Sequence, residues 1–130
     1  MIRTGNERTG NRLLVLPVSA GKEMTEATMA AINADGYAEP AVATTGIKVA
    51  GCTQTYVDNR NGQDGAQTVQ VARGTFVWNN AGDIEPTDLL KKCYVKDPTT
   101  VTLDDTGSSQ AGIILAVDPD GVTVDMSQNW

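Results

Sequence analysis

Apolar and polar positions alternate most regularly over residues 67–79, QTVQVARGTFVWN, where Val69 and Val71 take odd positions and Phe76 and Trp78 take even ones. A period of two marks a half-buried strand. The change of phase falls beside Arg73-Gly74, where an extra residue in a β-bulge would re-aim every later side chain. The pattern predicts one long, bent core strand, with Phe76 and Trp78 serving packing rather than a ligand.

Shorter apolar runs lie to either side. Residues 12–18 read as a first strand ended by the Ser19-Ala20-Gly21 turn. Residues 22–32 have two readings: Met24, Ala27, Ala31 and Ile32 fit a helical stripe, yet Asn33-Ala34-Asp35-Gly36 is a hairpin turn leading into Tyr37. A short strand over 28–34 is the preferred expectation. After a small-residue connector at 40–45, residues 47–57 form a plausible strand with Ile47, Val49, Tyr56 and Val57 as inward candidates. Residues 58–67, DNRNGQDGAQ, hold no aliphatic side chain larger than alanine and read as a solvated loop.

Beyond the bulged strand, 79–83 is a loop, and Glu85-Pro86-Thr87-Asp88-Leu89-Leu90 begins a single helical turn with Pro86 near its first position. Strands follow at 92–96 and 99–103, with Cys93 and Val95 on one face. The clearest hairpin closes the chain: 112–117, then Asp118-Pro119-Asp120-Gly121, then 122–126. Strand signals recur about every 8–12 residues, as all-β folds require. The expected fold is all-β, a small β-barrel or jelly-roll-like sandwich of short antiparallel strands with at most one short helix. The 130 residues divide into a flexible arm over 1–12 and one β domain over 13–130.

Charge changes this picture at one end. The chain carries −6 overall with a pI near 4.4, which argues against sequence-independent binding to nucleic acid. Arg3, Arg8 and Arg12 against Glu7 give the arm a local excess of positive charge. The arm is either a solvated tail or a segment that orders on an acidic protein partner. In the second case Arg3, Arg8 and Arg12, with Arg60 in the 58–67 loop, are the contact candidates, because a guanidinium pairs bidentately with carboxylates.

Candidate chemistry adds little. There is no histidine, so the usual general base and the commonest triads are missing. Cys52 and Cys93 lack metal-ligand spacing and read as reduced, apolar strand residues in a protein made in a cytosol. The carboxylate pairs Asp104/Asp105 and Asp118/Asp120 sit in glycine-bearing turns and read as turn formers. The 13–18 run is too short for a secretory signal and contains Pro17. No catalytic residue, cofactor or metal is expected, and no membrane partner.

The run Ala34-Asp35-Gly36-Tyr37-Ala38-Glu39-Pro40-Ala41, then Gly46-Ile47-Lys48-Val49-Ala50-Gly51, Tyr56-Val57-Asp58-Asn59 and Asp64-Gly65-Ala66-Gln67-Thr68-Val69 resembles a family of tailed-phage and prophage capsid cement (decoration) proteins. The likeness continues through Arg73-Gly74-Thr75-Phe76 and Ala111-Gly112-Ile113-Ile114 to Asp118-Pro119-Asp120-Gly121-Val122-Thr123-Val124-Asp125. It rests on turns and strand patterns rather than reactive groups; the helix-like 24–31 segment and the arm depart from it. The resemblance implies a non-enzymatic virion protein, made in the bacterial host cytoplasm. Such a protein sits on the outer capsid surface, clamps neighbouring major capsid subunits, and commonly forms a dimer or trimer at a symmetry axis. The alternative is a phage-surface or secreted β-sandwich carbohydrate-binding module, with Tyr37, Tyr56 and Trp130 as a stacking platform.

Overall fold

The structure, a computed structural model, describes residues 13–127. It is all-β, and the strands in chain order are β1 (Leu13–Pro17), β2 (Lys22–Met24), β3 (Met29–Ile32), β4 (Ala38–Pro40), β5 (Lys48–Thr53) and β6 (Val57–Asn59). The second half supplies β7 (Thr68–Ala72), β8 (Thr75–Asn80), β9 (Lys92–Asp97), β10 (Thr100–Thr102), β11 (Gln110–Asp118) and β12 (Gly121–Asp125). One 3-10 turn, Pro86–Asp88, interrupts them where the sequence places Pro86 at a helical start.

The strands make two main layers and a ribbon. A five-stranded sheet runs in the order β1-β7-β5-β3-β4, β10-β8-β12-β11-β9 close into a barrel, and β2 pairs with β6 alone. Among the described residues every ladder is antiparallel except β8 with β10, the parallel pair that takes part in the closure, and a single parallel bridge, Val18 with Ala38, ties the end of β1 to β4. Of the two architectures expected from the sequence, the barrel is therefore present.

The 67–79 segment is not one bent strand. It is two strands in different layers: β7 pairs with β1 and β5, whereas β8 pairs with β12 and β10. The change of side-chain phase at Arg73-Gly74 is real, and Val69, Val71 and Trp78 are all buried. Its cause is a transfer between layers rather than a bulge within one ladder. Gly74 takes φ +153°, a conformation that side-chain-bearing residues rarely adopt. Arg73 stays at the crossing and donates from its guanidinium to the Ala50 carbonyl at 3.2 Å.

Other sequence expectations shift in similar ways. The 22–32 segment contains no helix; it gives β2 and β3, and the preferred 28–34 strand shortens to Met29–Ile32. The Asn33–Gly36 turn forms as expected, with Gly36 N–H donating to the Asn33 carbonyl at 3.0 Å and Asn33 N–H to the Tyr37 carbonyl at 2.9 Å. The 47–57 strand breaks after Thr53, so Val49 and Val57 are buried but Tyr56 points outward. The 58–67 loop is solvated except at its root. There Asn59 is buried and its Nδ2 donates to the carbonyls of Val18, Ser19 and Gln63 at 3.0–3.2 Å.

Two apolar clusters hold the layers together. Met29, Ala31, Val49 and Cys52, from one face of the sheet, pack with Trp78, Val95, Ile114, Val122, Val124 and Met126 of the barrel side. On the opposite face Ala30, Ala50, Val69 and Val71 pack with Met24 and Val57 of the β2–β6 ribbon. The central strands are thus covered on both sides, which explains why MAAI and KVAGCT show no polar alternation.

Val71 is fully buried in β7, registered with Leu14 of β1 and Thr53 of β5. Val71→Asp is expected to abolish soluble folding, because an unpaired carboxylate there costs several kcal/mol, roughly 2–7. A thermal melt close to wild type would show that this side chain does not face the interior.

Candidate functional site

The surface most unlike that of a self-contained domain is built by the turn between β8 and β9. Asn80 organises its first part: its Oδ1 accepts from Gly82 N–H at 2.8 Å and Ile84 N–H at 3.3 Å, and its Nδ2 donates to the Ile84 carbonyl at 2.9 Å. Asp88 pins the second part. Its carboxylate accepts from Glu85 N–H and from Lys91 Nζ, both at 2.8 Å. These bonds, that to Lys91 foremost, hold the Asp88 carboxyl below its ordinary pKa.

Between Asp88 and Lys91 the chain presents Leu89 and Leu90, which are 49% and 73% exposed. Leu90 sits at φ +66°, in the left-handed region where a side chain costs about 1–2 kcal/mol. It is stitched in place by its N–H to the Ile114 carbonyl at 2.7 Å and by Ile114 N–H to the Lys91 carbonyl at 3.0 Å. The ladder of β11 with β12 slips between Ile114 and Ala116, and Leu115 at this irregularity is 41% exposed. Across the same outer face Ala116 registers with Thr123, and Thr123 with the exposed Val77. Leucines and a valine thus line one stretch of the barrel's outer wall. The sequence hinted at this only through Leu89-Leu90 following a proline-started turn, and exposure cannot be read from a dipeptide.

The residues proposed from sequence lie elsewhere. Arg3, Arg8 and Arg12, and Trp130 of the aromatic platform, lie outside the described residues. Arg60 is in the 58–67 loop, where its Nε and guanidinium NH2 grip the two Asp58 oxygens at 3.0 Å each. Glu23 on β2 stands 3.9 Å from the same guanidinium and also accepts from the Tyr56 hydroxyl. The Arg60 fork lowers Asp58 to about 2, while the Arg60 pKa rises. A partner carboxylate reaching Arg60 would compete with Asp58. Tyr56 is exposed but tethered to Glu23, and Tyr37 is half-buried beside Gly65.

An open cleft of about 370 Å³ is lined by Asp83, Lys96, Thr102, Asp104, Thr106 and Ser108, among others. Asp83, Thr102, Asp104 and Ser108 are engaged within the chain. Asp83 accepts from Thr102 Oγ1 at 2.6 Å and Leu103 N–H at 3.1 Å, and Ser108 Oγ donates to the Val95 carbonyl at 2.6 Å. Asp104 accepts from Thr106 N–H at 3.0 Å and Asp118 from Asp120 N–H at 2.9 Å, the turn-forming roles expected of them. Cys52 and Cys93 are free and buried, as expected of apolar strand residues. Burial pushes both thiols up, Cys93 to about 12. Among the described residues no group of three or more acidic or cysteine side chains could hold a metal ion. No helix there is long and apolar enough to cross a membrane.

No protein-family model matches the chain, and neither a curated protein nor a solved structure matches it.

Asp88 supplies a pH test of how the leucine turn is held. A carboxyl whose folded pKa is lowered stabilises fully above its ordinary value, about 3.9, and loses that contribution as pH falls through the lowered one. The melting-temperature gap between wild type and Asp88→Asn is therefore expected to be full at neutral pH and to close in acid. A gap that persists at the acid end would mean that the Lys91 pair does not hold the turn.

Proposed function

We propose that this chain is a structural virion protein that binds the outer surface of an assembled phage capsid and braces neighbouring major capsid subunits. The observation that carries the protein-binding part is Leu90, held at φ +66° and 73% exposed beside Leu89 and Leu115. Backbone strain that presents leucines to water works against the isolated domain, and such patches mark protein contact surfaces. The capsid as partner is supported by the sequence resemblance to cement proteins, which spans most of residues 13–126. An all-β body with short turns suits a clamp, because its ladders resist stretching across subunit boundaries. The arginines of the 1–12 segment add a means of gripping carboxylates on a lattice assembled beforehand.

Attachment to purified, undecorated heads tests the surface. Leu90→Gly removes the side chain and relieves the left-handed strain, so the isolated protein's melting temperature is expected to hold or rise. Its attachment is expected to weaken at least about tenfold, roughly 1.4 kcal/mol, with a similar loss for Leu115→Lys. Wild-type attachment by both variants would remove this surface from the interface.

The arm is tested by deleting residues 1–11. The melting temperature is expected to stay near wild type while attachment weakens at least about tenfold, mostly through faster release. If the shortened chain decorates heads as tightly as the full one, the grip lies entirely in the folded domain.

A further inference from the structure

Around β6 the chain alternates strictly: Val57 and Asn59 are buried, while Tyr56, Asp58 and Arg60 are exposed. Period two therefore puts these three side chains on one face of the β2–β6 ribbon, over roughly 13 Å at about 3.3 Å per residue. Glu23 of β2 registers with Asp58 and completes the row from the neighbouring strand. The opposite face is anchored. Met24 and Val57 sink into the apolar cluster, and Asn59 Nδ2 holds the carbonyls of Val18, Ser19 and Gln63. The exposed face thus stands on a rigid support, as a recognition site requires.

The four side chains hold one another. Arg60 Nε and Nη2 take the two Asp58 oxygens at 3.0 Å each, and the Arg60 N–H adds a third bond to Asp58 at 3.1 Å. Nη2 also stands 3.9 Å from Glu23 Oε2. The Tyr56 hydroxyl donates to that same Glu23 oxygen, which fixes the ring while leaving the residue 54% exposed. Among the described residues Glu23 Oε1 and Arg60 Nη1 have no partner, so an acceptor and a donor remain open beside the ring. Exposed ion pairs of this kind add little to folding, so stability gives little reason for the arrangement.

We infer that this face is a carbohydrate site, which takes a neutral pyranose ring stacked on Tyr56 with two adjacent hydroxyls on Glu23 Oε1 and Arg60 Nη1. A pyranose presents a face of C–H groups, and their positive ends suit the negative face of an aromatic ring. A hydroxyl both donates and accepts, so one meets the carboxylate while its neighbour accepts from the guanidinium. Neither has to break the Asp58–Arg60 fork. Charged ligands fit less well: an anion faces both Glu23 and Asp58, and a cation must displace Arg60 from its carboxylates. The bonds within the row also hold the ring and the fork in place beforehand, which lowers the ordering cost of binding. Of the three aromatics that the sequence suggested as a platform, the site uses Tyr56 alone, and its polar half is the Arg60 fork. It is built on a different element from the leucine turn, and it stands whether or not the partner of that turn is a capsid.

The test needs no capsid. The full chain is titrated, with nuclear magnetic resonance as the readout, against the methyl glycosides of glucose, galactose, mannose and N-acetylglucosamine, and against polysaccharides of the same sugars. At least one neutral glycoside is expected to bind at millimolar strength. A polysaccharide that binds at least about tenfold tighter than its methyl glycoside would mark a surface glycan as the source of the ligand, and equal binding per sugar a free saccharide. Tyr56→Ala and Arg60→Gln should each weaken binding at least about tenfold. Tyr56→Phe keeps the ring without its tether and should lose less than Tyr56→Ala. All three variants change exposed side chains and should melt near wild type, and Leu90→Gly should bind the sugar as wild type does. Glucuronic acid and glucosamine, which carry a charge on the same ring, should bind more weakly than the neutral sugars. Absence of binding to every neutral sugar in the series overturns the proposal. So does binding that survives both Tyr56→Ala and Arg60→Gln, or a preference for the charged sugars.

Discussion

The five-stranded sheet is covered on both faces, and that double burial sets the rest of the structure. A sheet with one wet face tolerates large apolar residues on one side and polar ones on the other; a sheet packed on both sides must be thin where its neighbours come close. β3 and β5 meet this with alanine, glycine, cysteine and valine. Gly51 shows how close the fit is. At φ +151° it lies against β7 so tightly that an added Cβ would stand 2.1 Å from the Ala72 carbonyl oxygen. Any side chain there would push β5 away from the strand that leads into the barrel.

That strand is the link between layers. β7 finishes its pairing at Ala72, the chain turns at Arg73-Gly74, and β8 enters the barrel within three residues. The barrel repeats the same economy. An added Cβ on Gly112 would stand 2.4 Å from the Asp125 carbonyl oxygen, and one on Gly121 would stand 2.3 Å from that of Trp78. The interior is then filled by Val95, Val101, Ile114, Val122, Val124 and by Trp78, whose indole N–H donates to Met126 Sδ at 3.1 Å. Five strands closed this tightly hold side chains rather than a ligand. Interaction with anything else is left to the outside.

One outer feature carries the protein contact in our reading, and it is a place where a local rule is broken. A leucine occupies a left-handed backbone position in solvent. It opposes the stability of an isolated copy, and sites that break local consistency are where function is expected.

The sequence alone determined the elements that depend on neighbours along the chain. The Asn33–Gly36 turn, the proline-started turn at 86–88, the Asp118–Gly121 hairpin and the aspartate turns follow from side chains that bond their own backbone within a few residues. Period-two alternation likewise marked Val69, Val71, Cys93 and Val95 as inward, and the all-β class followed from strand spacing. What it could not determine was which strand meets which. The Arg73-Gly74 phase change looks the same whether the chain bulges within one sheet or passes into another, since either event shifts side-chain parity by one. Tyr56 and Asn59 were misjudged for a related reason: a break after Thr53, beyond which the chain pairs with β2 rather than with β3 and β7, turned one outward and buried the other. The exposure of Leu89, Leu90 and Leu115 is likewise a property of the assembled layers. It exists only once the barrel has closed.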